Sequence, residues 1–131
     1  MTNSNLSPSY PVPFSNLGRA QALGGQYDHA VRAFQQALTL DPHQAGPHKN
    51  LGAIYFLRGQ YHEAVTHFQQ AVSREPDPQS YVNLGMVYLK LHNLALARAS
   101  WEQALALNPQ YEDAKVNLTL LDQIGTHQAA P

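Results

Sequence analysis

Apolar residues recur three and four places apart over most of the chain, for example Leu51, Ile54 and Tyr55, then Ala64, Phe68, Ala71 and Val72. That spacing puts them on one side of a helix and predicts amphipathic helices rather than strands. The breaks between apolar runs are punctuated. Gly25 and Gly59 separate one helix from the next, because glycine accepts left-handed backbone angles at little cost. Asp41-Pro42, Glu75-Pro76 and Asn108-Pro109 close the following helices, because proline disfavours helix in the residue before it and has no N–H to donate. The pattern predicts helix pairs over 13–24 and 27–40, 45–58 and 61–74, and 78–91 and 94–107, with a seventh helix over 111–124. Residues 1–10, rich in Ser, Asn and Pro, read as a flexible N-terminal tail, and residues 125–131 as a flexible C-terminal one.

The helix pairs repeat. The tripeptide Asn-Leu-Gly occurs at Asn16, Asn50 and Asn83, and a worn copy follows as Asn117-Leu118-Thr119. Gly18 and Gly52 are 34 residues apart, and Gly52 and Gly85 are 33 apart. The same offsets link Ala30, Ala64 and Ala97, then Phe34, Phe68 and Trp101, then Ala37, Ala71 and Ala104, and finally Pro42, Pro76 and Pro109. A single deletion near Pro76–Pro78 accounts for the shorter step. This unit resembles the tetratricopeptide repeat, in which an aromatic, Leu-Gly, Tyr, Ala, aromatic, Ala and Pro follow in that order. Three places depart from it: Gln21 stands for the first Tyr, His48 for the second leading aromatic, and Thr119 for the last glycine. The resemblance implies an all-α, right-handed superhelical stack of antiparallel helix pairs, about seven helices in all. It divides the chain into a single domain over 11–124, with repeats at 11–44, 45–77 and 78–111 and a capping helix over 111–124. Such units bury their apolar faces only against neighbours.

Composition narrows the function. Seven histidines invite a metal site, yet His43/His48 and His62/His67 are five apart, not the three or four that place two ligands on one helical face. The chain has no cysteine, so disulfides, thiolate metal sites and thiol nucleophiles are excluded. A formal charge of −1 supplies no basic field for nucleic acid. No run is long enough to insert in a membrane, and the first residues make a poor signal peptide, so a cytoplasmic location is the default. No nucleophile elbow, phosphate loop or zinc-protease motif occurs. These readings predict no enzyme, no cofactor and no metal.

The family resemblance implies where a partner would lie. First helices of successive repeats line a concave groove, and fixed repeat positions face it. Those positions are filled here by Asn16 and Arg19, by Lys49, Asn50 and Phe56, by Gln79, Asn83, Met86 and Leu89, and by Asn117 and Leu120. Asn16, Asn50, Asn83 and Asn117 form a ladder at one repeat position. A carboxamide offers both donor and acceptor, which suits the main chain of an extended peptide. Arg19 and Lys49 are expected to meet an acidic group, and Phe56, Met86 and Leu89 an apolar side chain. The carboxylate clamp by which some members hold acidic chaperone tails is not reproduced, since only Asn50 matches it. The resulting expectation is a non-catalytic protein–protein interaction module that takes a peptide or helical segment in its groove. The alternative is a structural scaffold, a homo-oligomer that self-associates through its terminal or capping helices, because Val116, Leu118, Leu120, Leu121 and Ile124 carry more apolar surface than one packing face needs.

Overall fold

A computed structural model describes residues 26–129, the last five as backbone only. It contains six helices: α1 (Tyr27–Leu40), α2 (Ala45–Leu57), α3 (Tyr61–Arg74), α4 (Pro78–Lys90), α5 (Leu94–Leu107) and α6 (Glu112–Ala129). No strand occurs among the described residues. The helix expected over 13–24, with Asn16 and Arg19 on it, and the tail expected over 1–10 lie outside them. At the other end α6 runs five residues past Ile124, where the last helix was expected to stop. The helix continues through Gly125, because a single glycine costs a helix only about 1 kcal/mol relative to alanine.

Consecutive helices pack antiparallel in pairs, and the pairs stack. First helices of neighbouring units also touch, α2 against α4 and α4 against α6, whereas among the described residues α1, α3 and α5 meet only first helices. The stack therefore has an inner layer (α2, α4, α6) and an outer one (α1, α3, α5). Burial follows the layers. In α3 the buried residues are Ala64, Phe68 and Ala71, a single stripe at helical spacing. In α4 every residue from Val82 to Tyr88 is buried, since this helix has neighbours on most sides.

The Leu-Gly part of the repeated tripeptide is packing. Leu51 and Leu84 are core residues. A Cβ on Gly52 would sit 3.0 Å from the Phe68 ring, and one on Gly85 would sit 2.3 Å from the Trp101 indole nitrogen. Glycine at these places is what lets the second helix of each pair close in with an aromatic ring. The turn between paired helices is also shared. Gly59 has a φ of +76°, and Gly59 N–H and Gln60 N–H donate to the carbonyls of Phe56 and Tyr55 at 3.0 and 2.8 Å. This is the left-handed Schellman ending of a helix. In the next unit His92, at φ 62°, makes the same turn, with His92 N–H and Asn93 N–H donating to Leu89 and Tyr88.

A candidate peptide groove on the inner layer

The inner layer carries the residues expected to bind. Of those within the described part, Asn50, Phe56, Gln79, Leu89 and Leu120 are half-buried. Phe56 lies beside Tyr61 with ring centroids 5.7 Å apart, at the turn between α2 and α3. Asn83 and Asn117 are placed deeper, only 1% and 0% exposed. Both amide atoms of Asn83 and the carbonyl oxygen of Asn117 have no hydrogen-bond partner. The Asn117 Nδ2 meets only the Sδ of Met86, at 3.8 Å, across the contact between α6 and α4. Met86 is itself 2% exposed. The described asparagines are therefore not equivalent: Asn50 is half-buried, and the two further along the stack are enclosed.

Lys49 was expected to receive a partner's carboxylate, but two carboxylates of its own chain occupy it. Its Nζ lies 2.7 Å from Asp77 Oδ2 and 2.9 Å from Glu75 Oε1, and the side chain is only 16% exposed. Burial works against the ammonium charge, but the bonds to Asp77 and Glu75 outweigh it and hold the Lys49 pKa above its usual value. The sequence hides this arrangement because Glu75-Pro76-Asp77 reads as a helix stop. In space the segment folds back over the start of α2, and Asp77 also caps α4 through the backbone N–H of Ser80, at 2.7 Å.

A second pairing is likewise hidden in the sequence. His48 on α2 and His67 on α3 bring their Nδ1 atoms to 3.0 Å. Counting histidines along one helix could not find this contact, because it crosses between paired helices at a separation of nineteen residues. Val82 and Trp101, joined by the indole N–H to the Val82 carbonyl at 3.1 Å, have that same separation. The within-unit offset was the available signal. Among the described residues no three His, Cys, Asp or Glu side chains gather as a metal site. An open cleft of about 560 Å³ lies between α3 and the end of α4, lined by His62, Val65, Thr66, Gln69, Tyr88, Leu91 and Asn93. It includes none of the groove residues.

The cap shows less apolar surface than its sequence suggests. Leu121 is buried, and Val116, Leu118, Leu120 and Ile124 are half-buried. Among the described residues the large apolar side chains that stand exposed, Leu40, Leu96 and Leu107, are on α1 and α5 instead. No described helix is long and apolar enough to cross a membrane.

Comparison with known proteins agrees with this architecture. Two tetratricopeptide repeat family models match, one over residues 22–86 and one over 78–111. Tetratricopeptide repeat protein 16 of Homo sapiens and that of Macaca fascicularis are each 46% identical over 43 residues, a stretch that is 33% of this chain and 5% of the relative. Among solved structures, the first such domain of Spaghetti (RPAP3), bound to the HSP90 peptide SRMEEVD, superposes with a TM-score of 0.74 at 20% identity, over 88% of this chain and 97% of that one. The Yersinia enterocolitica type III secretion translocator chaperone SycD gives 0.69 at 21%, covering 87% and 92%. MamA gives 0.70 at 26%, covering 88% and 69%. The offsets, the glycine–aromatic contacts, the two-layer stack and the matched models together place this chain in the tetratricopeptide repeat family.

Proposed function

We propose that the protein is a non-catalytic interaction module that holds an extended segment of a partner protein along its inner layer. The observation that carries this reading is the pair of enclosed carboxamides, Asn83 and Asn117, with three polar atoms that lack partners. A buried polar atom without a partner costs about 1–3 kcal/mol, so an apolar residue at either place would give a more stable fold. A peptide main chain supplies the missing donor and acceptor. Access requires neighbouring side chains to shift, and Met86, flexible and lying against Asn117, is suited to do so. Half-buried Leu89 and Leu120 then offer the apolar contact. The similarity to a peptide-bound domain and to a secretion chaperone supports a protein partner. Lys49, paired with Asp77 and Glu75 of its own chain, is not available to an acidic tail.

The test is Asn83→Ala combined with Asn117→Ala. Short peptides are first selected on the wild-type protein from a random displayed library, and their affinities are then measured on the variant. Binding is expected to fall at least tenfold, the equivalent of about 1.4 kcal/mol, while the unfolding midpoint stays level or rises. Peptides that bind the folded double variant as tightly as wild type would show that the asparagines are not the recognition element.

A further inference from the structure

Two histidines face each other in the second repeat at places that hold Tyr81 and Ser100 in the third. The substitution is paired, and so is the geometry. The His67 ring is stacked on Tyr55 at 5.4 Å and 17°, and its centroid lies 5.3 Å from that of the His48 ring, tilted by 35°. Tyr55 and His48 are seven residues apart on α2, a rise of about 10.5 Å, so one imidazole of α3 fits between two rings of α2. His48 is 9% exposed and His67 half-buried. With Nδ1 atoms at 3.0 Å, one ring must donate and the other accept.

We propose that the His48–His67 pair is a proton-operated latch between α2 and α3, closed while the pair keeps an acceptor nitrogen and loosened when both rings are protonated. A first proton is tolerated, because a charged N–H still finds a neutral nitrogen opposite. Glu63, one turn before His67 on α3, and the face of Tyr55 favour it. A second proton removes the acceptor and sets two imidazolium rings against each other. The surroundings add to the repulsion. Arg74, on α3, faces His48 and is held there by its bonds to the Pro42 carbonyl and to Gln70. The nearby carboxylates Glu75 and Asp77 are already engaged by Lys49. Burial lowers the pKa of both histidines. For His48, His67 and Arg74 lower it further, while Glu63 partly offsets the effect on His67. Groups depressed in the folded state leave the unfolded chain binding more protons as the pH falls below the ordinary histidine range. The latch therefore contributes its full stability above that range and loses it as the pH drops towards the folded values. Asn50 lies two residues beyond His48, so an opened latch would also disturb the groove. That consequence rests on the peptide-binding reading, but the latch does not.

The experiment follows the imidazole resonances of the full chain by NMR from about pH 8 to about pH 5, the range in which histidine changes charge. Urea unfolding at the two ends of that range is measured for wild type, for His67→Gln, and for His48→Tyr with His67→Ser, which installs the third repeat's residues. The expected result is two coupled histidines titrating below the ordinary range, and a several-fold larger loss of folding equilibrium constant on acidification for wild type than for either variant. Two independent, unshifted titrations in wild type would overturn the proposal whether or not the variants fold. So would an equal acid sensitivity in all three proteins.

Discussion

The second and third repeats solve the same packing problem with different side chains. Both put a glycine of the inner helix under an aromatic ring of the outer one, but Phe68 over Gly52 leaves more room than Trp101 over Gly85. The Phe68 ring has no polar atom to satisfy. Trp101 is fully buried, and its indole nitrogen is tied to the Val82 carbonyl. The third repeat also starts its inner helix with a side-chain cap from Asp77, whereas the second starts at Gln44 without one. One repeat is locked by directional bonds around a large ring. The other is held by looser contacts that include a titratable pair. Within one fold family, then, the repeat consensus fixes where helices touch, and the individual side chains fix how rigid each contact is.

The largest effect should come from filling the two glycines. Alanine gains about 1 kcal/mol over glycine in a helix, so each substitution starts with a credit. At Gly85 the new Cβ meets an indole that cannot retreat without breaking its bond, and overpacking of a close-packed core costs about 1–3 kcal/mol or more. Gly85→Ala is expected to lower stability by about 2 kcal/mol. Gly52→Ala, against a ring that can shift by a few tenths of an ångström, is expected to stay within about 1 kcal/mol of wild type. Urea unfolding of both variants compares them directly. Gly85→Ala with Trp101→Phe, which borrows the second repeat's solution, should recover part of the loss. Equal losses at the two glycines would mean that the tryptophan bond does not set the rigidity.

These contacts also divide what the sequence reveals from what it conceals. Helix periodicity, proline stops and the glycine–aromatic register are repeated features, and repetition makes them readable: Phe68 and Trp101 stand at matching places. The functional detail is unrepeated. Asn50 and Asn83 are aligned, yet one is half-buried and the other enclosed, because depth depends on how many helices crowd each position. Lys49 reads as a free cation until the turn carrying Glu75 and Asp77 is seen to fold over it. His48 departs visibly from the leading aromatic of the repeat, but its counterpart His67 lies on another helix. Gly59 was readable as a turn. The turn at His92, one 33-residue offset later, was readable too, but its left-handed backbone was not, because histidine signals that conformation far more weakly than glycine does.

A middle-sized effect is expected at the start of α4. Asp77 accepts from the Ser80 backbone at 2.7 Å and from its hydroxyl at 3.1 Å, and it also holds Lys49. Loss of such a cap costs about 0.5–2 kcal/mol, and Asp77→Ala should fall in the upper half of that range because Lys49 loses a partner too. Asp77→Asn keeps an acceptor for the backbone and should cost less. In the second repeat, Gln44→Asp would supply a cap but forfeit the bond from Gln44 Nε2 to the Ala37 carbonyl, so its gain should be smaller than the loss at Asp77. Thermal unfolding of the three variants orders them. An Asp77→Ala protein as stable as wild type would remove the cap from the comparison.

The smallest difference lies in the turns. Gly59 and His92 occupy the same left-handed position, at φ +76° and 62°, but only a residue with a Cβ is strained there, by about 1–2 kcal/mol. Part of that strain is offset because a non-glycine residue has less freedom to lose on folding, worth about 0.4–1 kcal/mol. His92→Gly should therefore raise stability by roughly 0.5 kcal/mol, and His92→Asn by less, since the short asparagine side chain can hydrogen-bond locally in this conformation but still carries a Cβ. Gly59→Ala should do the reverse, lowering stability by about 1 kcal/mol. The two changes exchange the character of the turns without touching the core, so parallel urea curves displaced in opposite directions are the expected signature. A loss of stability in His92→Gly would instead mean that the exposed imidazole makes a contact worth more than the strain, and the third repeat's turn would then be held by its side chain as well as its backbone.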